Sequence, residues 1–321
     1  MAQIIAGMAS SHALALMDPD SWDDRRRMTR GRFQKVYGYE PAEQPEVAEQ
    51  SPEFSKTHYA NIERGLQDLK ARLAELKPDA LILIGDDQNE NYRQDNLPQF
   101  AIFTGERVTT VDHESGQKRE FVCAADLARD VLERSVESGV DMASSATFPD
   151  GRLRSHAHAQ VLNYMDVQVP VVLVFVNAIN VPAATPARCY EVGQRLRQAV
   201  EQSGAAGRVV LYASGGLSHF TSGYPWPHYK GPHTLGSICR DFDGRLVGLM
   251  REGRSSEVAK LSSLDLIENG DIEFRQWIVL LGALGSERPA WLEYEPLFRG
   301  LIGMAVGYWP LESQRTLAGA R

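Results

Sequence analysis

Strand-length runs of uninterrupted apolar residues alternate with segments of helical periodicity along this chain, and no other feature restricts its fold so strongly. The runs are Ile4–Met8, Ala80–Ile84, Phe100–Thr104, Val169–Val176 ("VPVVLVFV") and Val209–Ala213. Between them, Ser55–Leu76 repeats apolar residues at Ile62, Leu66, Leu69, Leu73 and Leu76, and Ala124–Ser138 does so at Leu127, Val131 and Leu132. Pro186–Gln202 reads as a helix, and so does Asp271–Leu284, with Trp277 and Leu281 on its apolar side. A strand that is apolar at every residue, rather than every second one, is buried on both faces. The alternation therefore predicts an α/β fold, a single domain with a central, largely parallel sheet flanked by helices. Residues 18–52 stay outside the pattern. They are polar and proline-containing, too long for an ordinary connection, and predict a lid or a small helical excursion. No repeat and no clean linker divides the chain, so 1–321 is expected to form one catalytic domain.

Composition serves here to exclude. A net charge of −8 argues against nucleic acid as a partner, and the one basic run, "DDRRR" at Asp23–Arg27, carries its own acids and predicts a solvated face. Cys123, Cys189 and Cys239 form no CxxC pair, and an odd count fits a reducing compartment. The N-terminus lacks a basic leader with an apolar core, and the longest apolar runs are too short to cross a bilayer. The expectation is a soluble cytoplasmic protein with no membrane partner.

In sheets of this kind, ligands gather outside the carboxyl ends of the strands. Three predicted strands leave the sheet through polar sequence. The first exits in "ASSH", which places Ser10, Ser11 and His12 there; the second in "GDDQNEN", Gly85–Asn91; and Val209–Ala213 in "SGGLSHF", where Gly215 and Gly216 permit a tight turn that projects His219. Glu273 falls in the first turn of the helix that begins near Asp271. His58 begins the helix returning from the first strand, and such a helix starts on the strand's carboxyl side, so His58 is expected at the same end of the sheet as His12. His156 and His158, in "RSHAHAQ", stand two apart and would face different ways on a helix. One or two imidazoles plus a carboxylate, with positions left open, is a ligand set of non-haem Fe(II) oxygenases. Plainer roles exist for each residue. A histidine at a strand exit can simply cap or face solvent, and Glu273 suits a helix dipole. His113, in "VDHESGQK", is expected to be exposed. "SGGLSH" does not fit a nucleophile elbow, and no P-loop or G-x-G-x-x-G fingerprint occurs.

"GMASSHALAL", "ASGGLSHF", "VNAINVPAATPARCYEVGQRLRQAVE" and "GDIEFRQWIVLLGAL" together resemble the class III extradiol ring-cleavage dioxygenases, the protocatechuate 4,5-dioxygenase β-subunit superfamily. Within it the chain is most similar to the 3-O-methylgallate dioxygenase-like branch, whose members also carry "GDDQ" after the second strand. The resemblance runs from Ile4 to about Trp309. It implies a single α/β domain holding Fe(II) on two His and one Glu. It carries the first His onto His12, the Glu onto Glu273, the acid/base His of a "GGxSH" turn onto His219, and a further active-site His onto His156.

Better known members end their second strand in "NDH", whose His is the other metal ligand. Gln88 stands there in this chain. Imidazole suits Fe(II) better than amide oxygen, so His58 is the expected second imidazole, with Gln88 or Asp87 ligating through oxygen as the alternative. Asp86 or Asp87 would orient a ligand from behind, Asp87, Gln88 and Ser11 are expected against the substrate, and Asn89 and Asn91 fit a turn-capping role. The implied reaction is cleavage of a catechol- or gallate-type ring beside its diol, with both atoms of O2 entering the product. His219 would act as acid and base, His156 would hydrogen-bond the substrate or a bound oxygen species, and Phe220–His233 would shape substrate choice. The resemblance also implies a homodimer. A zinc-dependent hydrolase using the same His/Glu set, and a metal-free binding protein, are the readings from other classes.

Overall fold

The structure of the protein, a computed structural model, describes residues 1–111 and 116–311. His113 lies outside them. In chain order the elements are β1 (Gln3–Ser10), α1 (Trp22–Tyr37), α2 (Glu46–Glu49), α3 (Pro52–Leu76), β2 (Ala80–Asp86), β3 (Phe100–Phe103), β4 (Arg107–Val111) and β5 (Lys118–Val122). There follow α4 (Ala125–Glu137), β6 (Ala143–Ser145), α5 (His156–Tyr164), β7 (Val171–Val176), α6 (Pro186–Gln202) and β8 (Arg208–Ser214). The chain closes with α7 (Arg240–Arg251), α8 (Ser263–Asn269), α9 (Arg275–Leu284), β9 (Trp291–Leu297) and β10 (Ile302–Pro310).

Eight strands form one sheet in the order β6-β3-β7-β2-β8-β1-β10-β9, and β4 and β5 make a separate hairpin. The four central strands, β7, β2, β8 and β1, are mutually parallel. Successive residues of β2 feed opposite cores. Ile82 and Ile84 pack with Val192 and Leu196 of α6 and with Trp277 and Leu281 of α9, while Leu81 and Leu83 pack with Ile62, Leu66 and Leu69 of α3 and with Val161 of α5. That is the physical content of an all-apolar strand: both faces lose water, at roughly 1.5–3 kcal/mol per fully buried aliphatic side chain.

Register sets the site. Ser10 of β1 lies opposite Ser214 of β8, and Ile84 of β2 opposite Ala213, so these three strands end at one level. The helix expected from Ser55 begins three residues earlier, because the Ser51 side chain accepts a hydrogen bond from the Phe54 N–H and Pro52 occupies the first turn. Five strands fall outside the predicted alternation: the β4–β5 hairpin, the short β6 at one edge of the sheet, and β9 and β10. β10 runs antiparallel beside β1, and β9 covers it as the sheet's edge. Residues 18–52 are a helical excursion dominated by α1. Its Trp22 is buried edge-on against Tyr59 with ring centroids 5.1 Å apart, Asp23 pairs with Arg299, and Phe33 packs on Trp226. Among the described residues, no helix is long and apolar enough to cross a membrane.

Candidate active site

The level ends of β1, β2 and β8 bring His12, Asp86 and the 215–219 turn together, and the short turn before α9 delivers Glu273 to the same point. His12, Asp86 and Glu273 are all buried, and each offers a ligand atom within 4.8 Å of the others. The His12 tautomer follows from its neighbours. The Ser214 hydroxyl donates to the Ala157 carbonyl at 2.6 Å, so its oxygen accepts from His12 Nδ1–H at 3.2 Å. His12 Nε2 is left with a lone pair, 3.3 Å from Glu273 Oε2. Glu273 Oε2 and Asp86 Oδ2 are both buried without a hydrogen-bond partner. Three electron-rich atoms facing one another out of water would be costly alone, and a divalent cation satisfies all of them. The donor set fits a metal.

The electrostatics agree. Burial lowers the His12 pKa, with Glu273 pulling only partly the other way, so the ring is neutral and able to ligate. Burial, with the Glu273 charge adding, pushes the Asp86 carboxyl well above the usual carboxylate range. Burial pushes Glu273 upward too, but His219 and His12 outweigh it and hold that carboxyl well below its ordinary value. His219 Nδ1–H donates to the Leu217 carbonyl at 2.8 Å, which turns Nε2 toward Glu273 Oε1, 3.3 Å away. Burial lowers the His219 pKa, and the Glu273 charge more than reverses that.

Gly215 and Gly216 serve close approach. Neither has a positive φ. A Cβ on Gly216 would lie 2.6 Å from the His219 ring, and one on Gly215 would lie 2.5 Å from the Glu273 carbonyl oxygen. The expected tight turn is therefore present for a different reason: the backbone must pass between two groups of the site.

The "GDDQNEN" segment divides its work residue by residue. Asp86 faces the cluster. Asp87 does not; its carboxylate accepts the backbone N–H groups of Glu90, Asn91 and Tyr92 at 2.8, 2.9 and 3.1 Å, so the expected substrate role gives way to a turn. Gln88 donates through Nε2 to Glu273 Oε1 at 2.6 Å. Asn89 supplies a positive φ of 62°, and the Asn91 side chain accepts from the N–H groups of Arg154 and Ser155, pinning the approach to α5. Glu90 grips His156, the first residue of α5, through its N–H and its Nδ1, both at 3.0 Å. Burial lowers the His156 pKa, but Glu90, Asp86 and Glu273 together raise it to about 9. The His156 ring meets His12 edge-on at 4.7 Å. His158 turns the other way, its Nε2 3.0 Å from the Val174 carbonyl, and burial lowers its pKa to about 3. It fastens α5 to the sheet.

Two further expectations are corrected. Ser11, expected against the substrate, is spent on the sheet, its hydroxyl accepting from the Ala305 N–H at 2.9 Å because β10 pairs beside β1. His58 does not join His12 and Glu273. Its Nδ1 lies 2.7 Å from Glu295 Oε2 and its ring stacks on Phe54. The end of the sheet is as expected, since Glu295 is paired with Met304 near the level where β1 ends. The lateral position is not: the excursion carries α3 over β9 and β10, and β9 lies two strands away from β1, roughly 10 Å.

A cavity of about 360 Å³ opens above the cluster. His12, Gln88, His156 and His219 line its inner end, Phe220, Thr221 and Ser222 one side, and Arg25, Met28, Thr29 and Arg32 of α1 another. The rest of the Phe220–His233 segment packs on itself and on α8, with Phe220, Tyr224 and Tyr229 forming a small core. The run "DDRRR", expected as a solvated face, instead gives Arg25 and Arg26 to the cavity wall, and only the tertiary placement of α1 reveals this.

The cluster lies at the carboxyl end of a mostly parallel sheet, where ligands of such folds gather, and sequence comparison gives the chain its class. Residues 44–307 match the family described as the catalytic LigB subunit of aromatic ring-opening dioxygenase, and the chain belongs to that family, the class III extradiol dioxygenases. A relative from Klebsiella pneumoniae, named 2,3-dihydroxyphenylpropionate/2,3-dihydroxicinnamic acid 1,2-dioxygenase, is 23% identical over 75% of this chain and 88% of its own. A protein of the same name from Paraburkholderia xenovorans is 29% identical, across 47% of this chain and 46% of its own. Among solved structures, an uncharacterized Escherichia coli K12 protein aligns over 95% of this chain and 99% of its own with a TM-score of 0.46 and 11% identity.

Proposed function

We propose that the protein opens a catechol-type ring beside its two hydroxyls with dioxygen, using Fe(II) held by His12, Glu273 and Asp86. The observation that carries this reading is the pair of buried, unpartnered carboxylate oxygens, Asp86 Oδ2 and Glu273 Oε2, grouped with the His12 ring at the inner end of a cavity. Asp86 takes the place expected of a second imidazole. One imidazole with two carboxylates is a harder donor set than two imidazoles with one, and its two negative charges balance a divalent ion. Gln88, by donating to Glu273 Oε1, holds that carboxylate with Oε2 toward the centre. When bound, the ion supplies Lewis acidity that favours an ionised diol and redox chemistry that makes dioxygen reactive toward the ring.

The protein's own groups do the rest. His219, with Nδ1 committed to Leu217, has Nε2 available to take a diol proton and return it later. His156, kept cationic by Glu90, donates a hydrogen bond to developing negative charge on the substrate. Adjacent hydroxyls on an aromatic ring are also what the names of the relatives describe. The test is anaerobic loading with Fe(II), then oxygen uptake with a panel of catechols and gallates. One iron per chain and stoichiometric oxygen consumption with a ring-opened product are expected. Full iron loading in Asp86→Asn and Glu273→Gln would overturn the ligand set, and absence of uptake with every diol by the loaded protein would overturn the reaction.

A further inference from the structure

Ligands carried by different elements keep their spacing only if something ties those elements together. The turn that carries Glu273 has no side-chain cap at either flank, Asp271 or Phe274. It is held instead by the first two residues of α9, both buried. Arg275 donates from Nη1 to the Ile272 carbonyl and from Nε to the Ala184 carbonyl, each at 2.8 Å, which fixes the turn to the segment ahead of α6. Gln276 fixes it to the sheet. In the amide orientation that satisfies both neighbours, its nitrogen donates to the Glu273 carbonyl and its oxygen accepts from the Asp86 N–H at 3.2 Å. Asp86 lies beyond Ile84, the last residue of β2 paired with β8, so β8 no longer braces it there. One side chain thus joins the backbones of both candidate carboxylate ligands. Their facing oxygens, Asp86 Oδ2 and Glu273 Oε2, are unpartnered and repel each other until a cation lies between them, and a backbone tie opposes their separation.

We infer that Gln276 is a positioning residue of the centre: by joining the Asp86 N–H to the Glu273 carbonyl it sets the separation of the two carboxylates and preorganises them for the ion. The inference rests on the ligand set proposed above and adds the group that fixes its spacing. Gln88 acts differently, because it bonds the Glu273 carboxylate itself and so orients one ligand. Gln276 acts on the two backbones and fixes where both side chains begin. An outer hydrogen-bonding partner of a metal centre is worth about 10- to 100-fold in metal affinity.

Gln276→Met tests it, since methionine keeps the length of the side chain and removes both hydrogen bonds. Anaerobic equilibrium titration with Fe(II), at a temperature where circular dichroism shows the variant folded, should give a Kd raised about 10- to 100-fold over wild type. Co(II) bound in place of Fe(II) should show displaced visible absorption bands, because its spectrum follows ligand geometry. In the metal-free protein, amide hydrogen exchange at Asp86 should accelerate, which reads the brace without any ion. Leu281→Val, on a residue of α9 that packs with Ile82 and Ile84, controls for a loosened helix. It should lower the unfolding transition and leave the Kd and the Co(II) bands as in wild type. Should Gln276→Met not fold, Gln276→Asn reads the same change, because its amide is one methylene too short to span both partners. Wild-type Kd and Co(II) bands in the folded Gln276 variant, unchanged Asp86 exchange, or equal metal loss in Leu281→Val would each overturn the inference. A wild-type protein that takes up neither ion defeats the ligand set and this inference together, whereas normal wild-type uptake with an unmoved Gln276 variant defeats this inference alone.

Discussion

The inner end of the cavity and its α1 wall are built by opposite means. At the inner end, His12, Asp86 and Glu273 are buried at strand and helix ends, and each neighbouring polar group is committed to another. The α1 wall rides on the surface of the sheet's end, attached through Trp22, the Asp23–Arg299 pair and Phe33. Its remaining ion pairs are partly or fully exposed, a type that contributes only about 0–1 kcal/mol each. The difference teaches where a fold can afford change. The candidate ligand groups sit at the ends of buried strands and of a buried helix, while the outer wall is a helix whose exposed residues can be exchanged without touching the core.

That contrast can be broken in several ways. The largest effect is expected from Glu273→Gln, which should abolish metal retention and ring opening together while leaving the thermal unfolding transition in place; metal content by elemental analysis, beside oxygen uptake, would check it. His219→Gln should keep the metal but lower kcat by roughly 10²–10⁴-fold, the usual worth of a general acid/base. Retained turnover there would move proton transfer to another group. Trp22→Ala should loosen the outer wall alone, raising KM for the best substrate with metal content unchanged. A loss of metal in that variant would show that the two regions are mechanically one.

Smaller effects concern protons. Glu90 is the main reason His156 stays protonated to about 9, against the burial that lowers it. Glu90→Gln should therefore move the alkaline limb of the kcat/KM profile downward by more than one pH unit. Beneath the His219 turn, Asp243 accepts hydrogen bonds from Ser218 and Tyr294, and burial raises its pKa to about 6. A carboxyl whose folded pKa is raised contributes stability at low pH and loses it as pH climbs through 6. Asp243→Asn should accordingly raise the unfolding free energy by about 1 kcal/mol at pH 8, after allowing for weakened hydrogen bonds, and the gain should vanish by pH 4. Chemical denaturation at the two pH values would measure it.

Much of the fold was legible because burial on two faces leaves an unmistakable mark. Val171–Val176 and Ala80–Asp86 are central strands, and the predicted bounds of Pro186–Gln202 coincide with α6. The two C-terminal strands were harder to see. β9 mixes Glu293 and Glu295 with apolar residues, and Gly303 and Gly307 interrupt β10. In the site, strand exits pointed to His12, Asp86 and His219, and a helix start to Glu273, because topology alone sends those positions to one end of the sheet. The failures have a common form. Ser11, Asp87 and His58 all have suitable chemistry at the right end of the sheet, yet Ser11 is consumed by β10, Asp87 by its own turn, and His58 by Glu295.

By itself, then, the order of residues determined the two-faced sheet, the end of it that carries chemistry, and the kinds of group available there. These follow from periodicity and side-chain type, which are local properties. Which carboxylate stands beside His12 and Glu273, and which helix supplies the outer wall, were decided only by lateral strand order and by the path of the excursion over the sheet. Those depend on contacts between residues far apart in the chain, such as Ser11 with Ala305 or Gln88 with Glu273, and no local pattern encodes a distance of that kind.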